Sequence, residues 1–414
     1  MRRLLPTALS VALVAASPAT AQDYSTRVAR ILKATPLIDG HNDWAEALRE
    51  KAPETRWTLD LAELPSGVDG YDTDLARLKR SGLGGQFWSV WVSPDLPGHE
   101  QVIQTLEQID LVRAIVARHP DRFALARTAA DVRRAHKAGR IASMIGVEGG
   151  GQIDGNLSVL RSYAALGAGY LTLTHARTIE WADSATDDPK HGGLTDFGRQ
   201  VVRELNRLGM LVDLSHVSPD TMRDAIAESK APVIFSHSGA RALNDHPRNV
   251  PDDVLRLLLA NGGVVMVDYA LPYVSDAYRR WAADSAAEKT RLNAPPYAGL
   301  DIGQPEKAKA DYAAWLAAHP APEVTLSQVA DHIEHVARVA GHDHVGIGSD
   351  FDGVGGQLPT GLKDVSTYPA LLAELMRRGW SDANIAKLAG GNVLRVMEAA
   401  EREAARQAAA APAP

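Results

Sequence analysis

Three stretches decide the fold: YLTLTH at 170–175, LVDLSH at 211–216 and PVIFSH at 232–237. Each is a short apolar run with β-branched residues that ends in a histidine. Strands buried on both faces read this way, as near-continuous apolar runs and not as alternation. Outward from these three, the same pattern recurs at Pro36–His41, Gln86–Val92, Ala142–Glu148, Gly263–Tyr269 and His344–Asp350. Helical stretches lie between the runs. From Phe197 to Leu208, for example, Val201, Val202, Leu205 and Leu208 recur at helical spacing and would cover a sheet.

Eight strands alternating with helices predict an α/β fold, a (β/α)8 TIM-type barrel of parallel strands. The competing fold is an open doubly wound sheet. It would place a glycine-rich phosphate loop after the first strand, where His41-Asn42-Asp43 stands instead. Ser275–Glu323 breaks the rhythm as a long insertion between strands seven and eight, with helical stretches around Tyr278–Leu292 and Glu306–His319. Loops of this length serve as lids or binding elements, or merely embellish the fold.

In such a barrel the chemistry sits at the C-terminal ends of the strands. Those ends carry His41 with Asp43 just beyond, then Glu148, His175, His216, His237 and Asp350. His41 and Asp43 are two apart, so in an extended strand end they face the same way and can grip one cation. Imidazole and carboxylate donors suit zinc, and also manganese or cobalt. Two cations sharing a carboxylate would lower the pKa of bound water and polarise a carbonyl. The remaining histidines read as structural. His332 and His335 share a face of the helix Leu326–Val339 and are expected in solvent, and His342 and His344 lie at the opposite end of the barrel. His191 and His246 follow strands four and six on the active rim, where a structural role is still preferred.

The chain has 414 residues and no cysteine, so neither disulfides nor thiolate ligands are available. Residues 1–21 read as a secretory signal: Arg2 and Arg3, an apolar stretch from Ala8 to Ala16, and Ala19-Thr20-Ala21 before Gln22. Loss of these two arginines, and of no acid, takes the formal charge from −7 to −9. No basic stripe favours nucleic acid or anionic lipid. The expected organisation is a signal at 1–21, one barrel domain at 22–402 and a disordered Ala/Pro-rich tail at 403–414. Export to a bacterial periplasm suits the signal and the missing cysteines. No stable membrane anchor is expected.

Seven motifs, in order, resemble the membrane dipeptidase (renal dipeptidase-like) family of zinc peptidases. They are LIDGHNDWA at 37–45, GVEGG at 146–150, LTLTHARTIEWAD at 171–183, GLTDFGRQVVRELNRLGMLVDLSHVS at 193–218, PVIFSHSGARAL at 232–243, RNVPDD at 248–253 and HVGIGSDFDGV at 344–354. The resemblance implies two Zn2+ per chain. His41 and Asp43 would hold one and His216 and His237 the other, with Glu148 bridging. It makes Asp350 the general acid/base, His175 a contact to substrate and oxyanion, Arg248 the partner of the substrate carboxylate and Tyr273 a further pocket contact. The implied substrate is a dipeptide, including some with a C-terminal D-residue; a homodimer stays open. Trp44 directly after Asp43, Gly151-Gln152 after the second motif and the long 275–323 segment depart from familiar members. Two rivals remain: another metal-dependent amidohydrolase or lactonase on the same barrel, which needs no Arg248, and a non-enzymatic periplasmic binding protein, which needs no Asp350.

Overall fold

The computed structural model describes residues 24–294 and 305–410. The signal at 1–21 therefore lies outside the described residues. All eight anticipated runs form strands: β1 Leu37–Asn42, β2 Leu83–Trp91, β4 Ile141–Glu148, β5 Ala168–Thr172, β6 Leu211–Asp213, β7 Ile234–Phe235, β8 Val264–Val267 and β9 Val345–Ile347. A short strand, β3 Phe123–Leu125, joins them. It pairs with the first half of β4, and β5 pairs with the second half. Pairing runs in order through β2, β1, β9, β8, β7, β6, β5 and β4, and β4 returns to β2, so eight parallel strands close a barrel.

Local sequence explains why each element starts and stops. The helix Asp196–Leu208 begins at Thr195, whose side chain accepts the Gly198 N–H, and ends at Gly209 with φ 71°. A left-handed residue after a helix end favours glycine. Val201, Val202 and Leu205 on its inner face are fully buried. Truncating Leu205 to alanine would cost about 2–5 kcal/mol.

The barrel interior is a separate apolar cluster that includes Ile38, Phe87, Met144, Tyr170, Leu211, Ile234 and Met266. Val393, Val396 and Met397 of the helix Asn392–Ala410 join it. That helix corrects the expected start of the tail, since it runs on to Ala410; 411–414 lie outside the described residues. Alanine has the highest helix propensity, and a Glu403–Arg406 pair adds support one turn along. His332 and His335 are also corrected, since both are buried. His332 accepts the Ala240 N–H through Nδ1 and lies 3.0 Å from the Val274 carbonyl through Nε2.

The 275–323 segment carries the helices Asp276–Asn293 and Pro305–Ala318, close to the expected stretches. They pack on each other, with Ser285 Oγ 2.7 Å from the Tyr312 hydroxyl.

Candidate metal centre

His41 is the fifth residue of β1, and Glu148 is the last of β4. His216 lies three residues past β6, His237 two past β7 and Asp350 three past β9. The barrel thus delivers all five to one rim. His41 Nε2 lies 3.3 Å from Asp43 Oδ2 and 3.2 Å from Glu148 Oε2. The other Glu148 oxygen, Oε1, lies 2.9 Å from His216 Nε2, 3.3 Å from His237 Nε2 and 3.7 Å from His175 Nε2. The two oxygens of one carboxylate therefore meet different histidines, and the converging donors group as His41, Glu148 and His237 and as Glu148, His175 and His216. Asp350 joins His41 and Asp43 in a third group of converging donors.

Backbone conformation holds this closeness. Asp350 N–H donates to the His41 carbonyl, and Asp43 N–H donates to the Phe351 carbonyl. Asp350 and His216 both have positive φ, 62° and 68°, which is uncommon outside glycine and clusters at functional sites. A Cβ on Gly353 would come within 2.3 Å of Asp43 Oδ2 and 2.5 Å of Asp350 Oδ1, so a larger residue there would displace both carboxylates.

Electrostatics favour cations here. Burial would raise Glu148, but His41 beside it and bonds from His216 and His237 hold it well below the usual carboxylate range. Burial drives His216 and His237 well below the usual histidine value, and the charge of Arg248 adds to this. Both are therefore neutral at pH 7, the form that could donate to a metal. His41 goes the other way. Burial opposes its charge, but the Tyr170 hydroxyl, Glu148 and Asp43 outweigh it and hold it well above the usual histidine value. Its buried Nε2 has no well-formed hydrogen bond. A metal ion would take that position, so the donor set fits the expected group.

A cavity of about 590 Å³ opens on these groups, bounded also by Trp91, Tyr273 and the acidic Glu46, Glu50 and Asp352. No described residue of 275–323 lines it. A larger groove of about 1050 Å³ sits at the other rim, against Gly82 and Arg140 before β2 and β4. It holds none of these groups.

Arg248 is near the centre but covered, at 1% exposure. It donates to the His237 carbonyl at 2.8 Å and to Ser238 Oγ at 3.0 Å, and lies over the Tyr273 ring. Asp268, just past β8, stands 3.8 Å from Arg248. Burial pushes the Asp268 carboxyl up to about 6, against the pull of Arg248. His246 packs on Tyr273 and accepts the Arg248 N–H. His191 instead lies 2.9 Å from the Ile179 carbonyl.

Sequence reading missed Asp268, Trp91 and Tyr170. Trp91 packs edge-on against His175, with ring centroids 5.4 Å apart. Tyr170 crosses the barrel interior to bring its hydroxyl within 2.9 Å of His41 Nδ1. A signal was present: Asp268 and the Tyr170 hydroxyl are polar interruptions of otherwise apolar runs.

A model of the membrane dipeptidase family, peptidase family M19, matches residues 25–411. The dipeptidase verJ of Clonostachys rogersoniana is 40% identical over 390 residues, 92% of this chain and 88% of that protein. The structure of the probable dipeptidase PvdM from Pseudomonas aeruginosa superposes with a TM-score of 0.78 at 28% identity, over 93% of this chain and all of that one. A metallopeptidase from Rhodobacter sphaeroides, liganded with a phosphinate mimic of the dipeptide L-Ala-D-Ala, gives 0.70 at 26% identity over 88% of this chain and 99% of that one. With the barrel and its rim of metal donors, these matches establish that the chain belongs to the membrane dipeptidase family and is a metal-dependent peptidase.

Proposed function

We propose that this protein is a two-zinc dipeptidase that accepts a C-terminal D-residue and acts after export. The observation that carries the reading is the division of Glu148: Oε2 faces His41 beside Asp43, and Oε1 faces His216 and His237. Zinc in those two places would lower the pKa of water and polarise the scissile carbonyl.

The chain's own residues do the rest. Asp350 borders the cavity and takes a proton from the attacking water, then delivers it to the leaving amine. Its surroundings push it well above the carboxylate range, through burial and then through Asp268 and Asp43. The ionised form needed for the first transfer therefore depends on neighbouring cations. His175 is neutral because burial lowers it, and an imidazole N–H can donate to the developing oxyanion. Arg248, with Tyr273 stacked on it, supplies the charge for the substrate's free carboxylate. The Rhodobacter sphaeroides ligand, a mimic of L-Ala-D-Ala, supports a D-residue at that end.

One observation favours the broader amidohydrolase reading: Arg248 is covered and already bonded to His237 and Ser238. Under the dipeptidase reading Tyr273 must shift for the carboxylate to enter. The test is a panel of L,L- and L,D-dipeptides and their amides, run on chelated and zinc-reconstituted protein. Two zinc ions per chain and hydrolysis of free dipeptides only with zinc are expected. Full activity in metal-free protein, or equal turnover of the amides, overturns it. Exported protein should start at Gln22 by intact mass; retained Met1 contradicts the signal at 1–21.

A further inference from the structure

Asp39 and Asp213 lie in different strands and are both fully buried. Each stands in register with an isoleucine of the neighbouring strand, Asp213 with Ile234 and Asp39 with Ile347. Two residues beyond each isoleucine is a serine. Asp213 Oδ1 accepts the Ser236 N–H at 2.8 Å and Oδ2 accepts its hydroxyl at 2.6 Å. Asp39 does the same with Ser349, at 2.7 and 2.7 Å. The residue after each serine belongs to the centre: His237 in one case, Asp350 in the other. Further donors hold each carboxylate still: Thr172 Oγ1 on Asp213, and the Tyr368 hydroxyl and Gln86 Nε2 on Asp39.

We propose that Asp39 and Asp213 are positioning residues, two copies of one carboxylate clamp that each fix a site residue of the next strand. The reading rests on the roles proposed above for His237 and Asp350. Each clamp also joins two parts of the centre. Asp213 lies three residues before His216, and Asp39 two before His41. One clamp thus sets His216 against His237, and the other sets β1 against Asp350.

The two clamps differ in what they hold. Ser236 Oγ also lies 2.8 Å from His237 Nδ1. With the serine hydroxyl given to Asp213, His237 Nδ1–H donates to Ser236 and leaves Nε2 free for a metal. Second-sphere partners of this kind fix the tautomer and orientation of a ligand histidine. Ser349 makes no such bond to Asp350. It acts on backbone position alone, at a residue with positive φ. One clamp therefore serves metal affinity and the other serves proton transfer.

Serine-to-alanine variants separate the two, since they delete one hydroxyl and keep the backbone N–H. Metal-free wild type, Ser236→Ala and Ser349→Ala are titrated with zinc against a competing chelator. The zinc-loaded forms then give kcat, KM and the pH profile of kcat. Ser236→Ala should weaken zinc binding about 10- to 100-fold, and Ser236→Cys should fall between it and wild type. Ser349→Ala should hold zinc within about twofold of wild type. It should lose about 10- to 100-fold in kcat with KM little changed and its pH profile shifted. A merely structural role predicts equal losses of melting temperature without this split. Equal effects of the two alanine variants on both readouts, or no effect on either, overturn the clamp. A wild type that binds no zinc overturns the metal reading and the clamp with it.

Discussion

Asp350 is the residue whose surroundings and proposed task are most opposed. Burial, Asp268 and Asp43 push its carboxyl well above the usual carboxylate range, yet a base must be ionised. Asp350→Asn keeps size and removes basicity. We expect zinc content to survive while kcat falls by about 10²-fold or more; normal turnover would remove the role. Glu148→Gln should instead damage zinc occupancy. Arg248 gives a second test at this scale. Removing one partner of a desolvated ion pair costs on the order of 2–5 kcal/mol, so Arg248→Ala should lower kcat/KM for free dipeptides about 30- to 4,000-fold. Amidated dipeptides should change much less, and an unchanged acid-to-amide ratio would show that Arg248 does not read the carboxylate. Both residues were legible in the sequence, Asp350 because it ends a strand run and Arg248 through the family motif. Asp268 was not. Its meaning comes from Arg248, 20 residues away in sequence and one strand over in the fold, and no periodicity reveals such a partner.

Among the elements, the helix Leu326–Ala340 shows where pattern reading stops. Its bounds follow from periodicity and from the Thr325 capping box. The solvent face expected for His332 and His335 is instead covered by a loop and a short helix: Ala240 after β7, and Val274 at the end of the helix Leu271–Val274 after β8. Asp252 in the helix Asp252–Asn261 accounts for His335, 2.7 Å away. Burial holds His332 down at about 4. A histidine near 6.5 when unfolded and near 4 when folded binds its proton first in the unfolded chain. Its contribution is therefore present above about pH 6.5, and is lost as pH falls toward 4, by about 3 kcal/mol at most. Melting temperature should fall across that window, and His332→Gln should flatten part of the slope. An identical slope in both proteins would show that His332 does not titrate with unfolding. The 275–323 insertion teaches a similar point: its helices were legible, but none of its described residues reaches the cavity wall. It braces that wall through the Tyr278 hydroxyl, which donates to Gln357.

At the scale of the whole molecule, the centre ties together parts of the chain that the sequence keeps far apart. Its donors run from His41 to Asp350 and come from the ends of β1, β4, β6, β7 and β9. Closure of the barrel brings β1 beside β9. In the sequence, closure rests on the eightfold strand–helix alternation and on the lack of a phosphate loop after the first strand. No helix among the described residues is long and apolar enough to cross a membrane. A metal held at such a junction acts as a cross-link between strands, and it binds only the assembled barrel. A ligand of the folded state alone stabilises by about 4 kcal/mol when its free concentration is 1,000 times its Kd. Zinc should therefore raise the melting temperature of metal-free protein by several degrees, and chelation should reverse this. With two ions the rise should come in two stages. Asp43→Ala weakens the side that His41 shares and should leave one stage. Glu148→Gln removes the shared carboxylate charge and should weaken both. A single stage in wild type would reduce the centre to one cation. A melting temperature indifferent to verified zinc removal would show that the rim donors do not cross-link the fold.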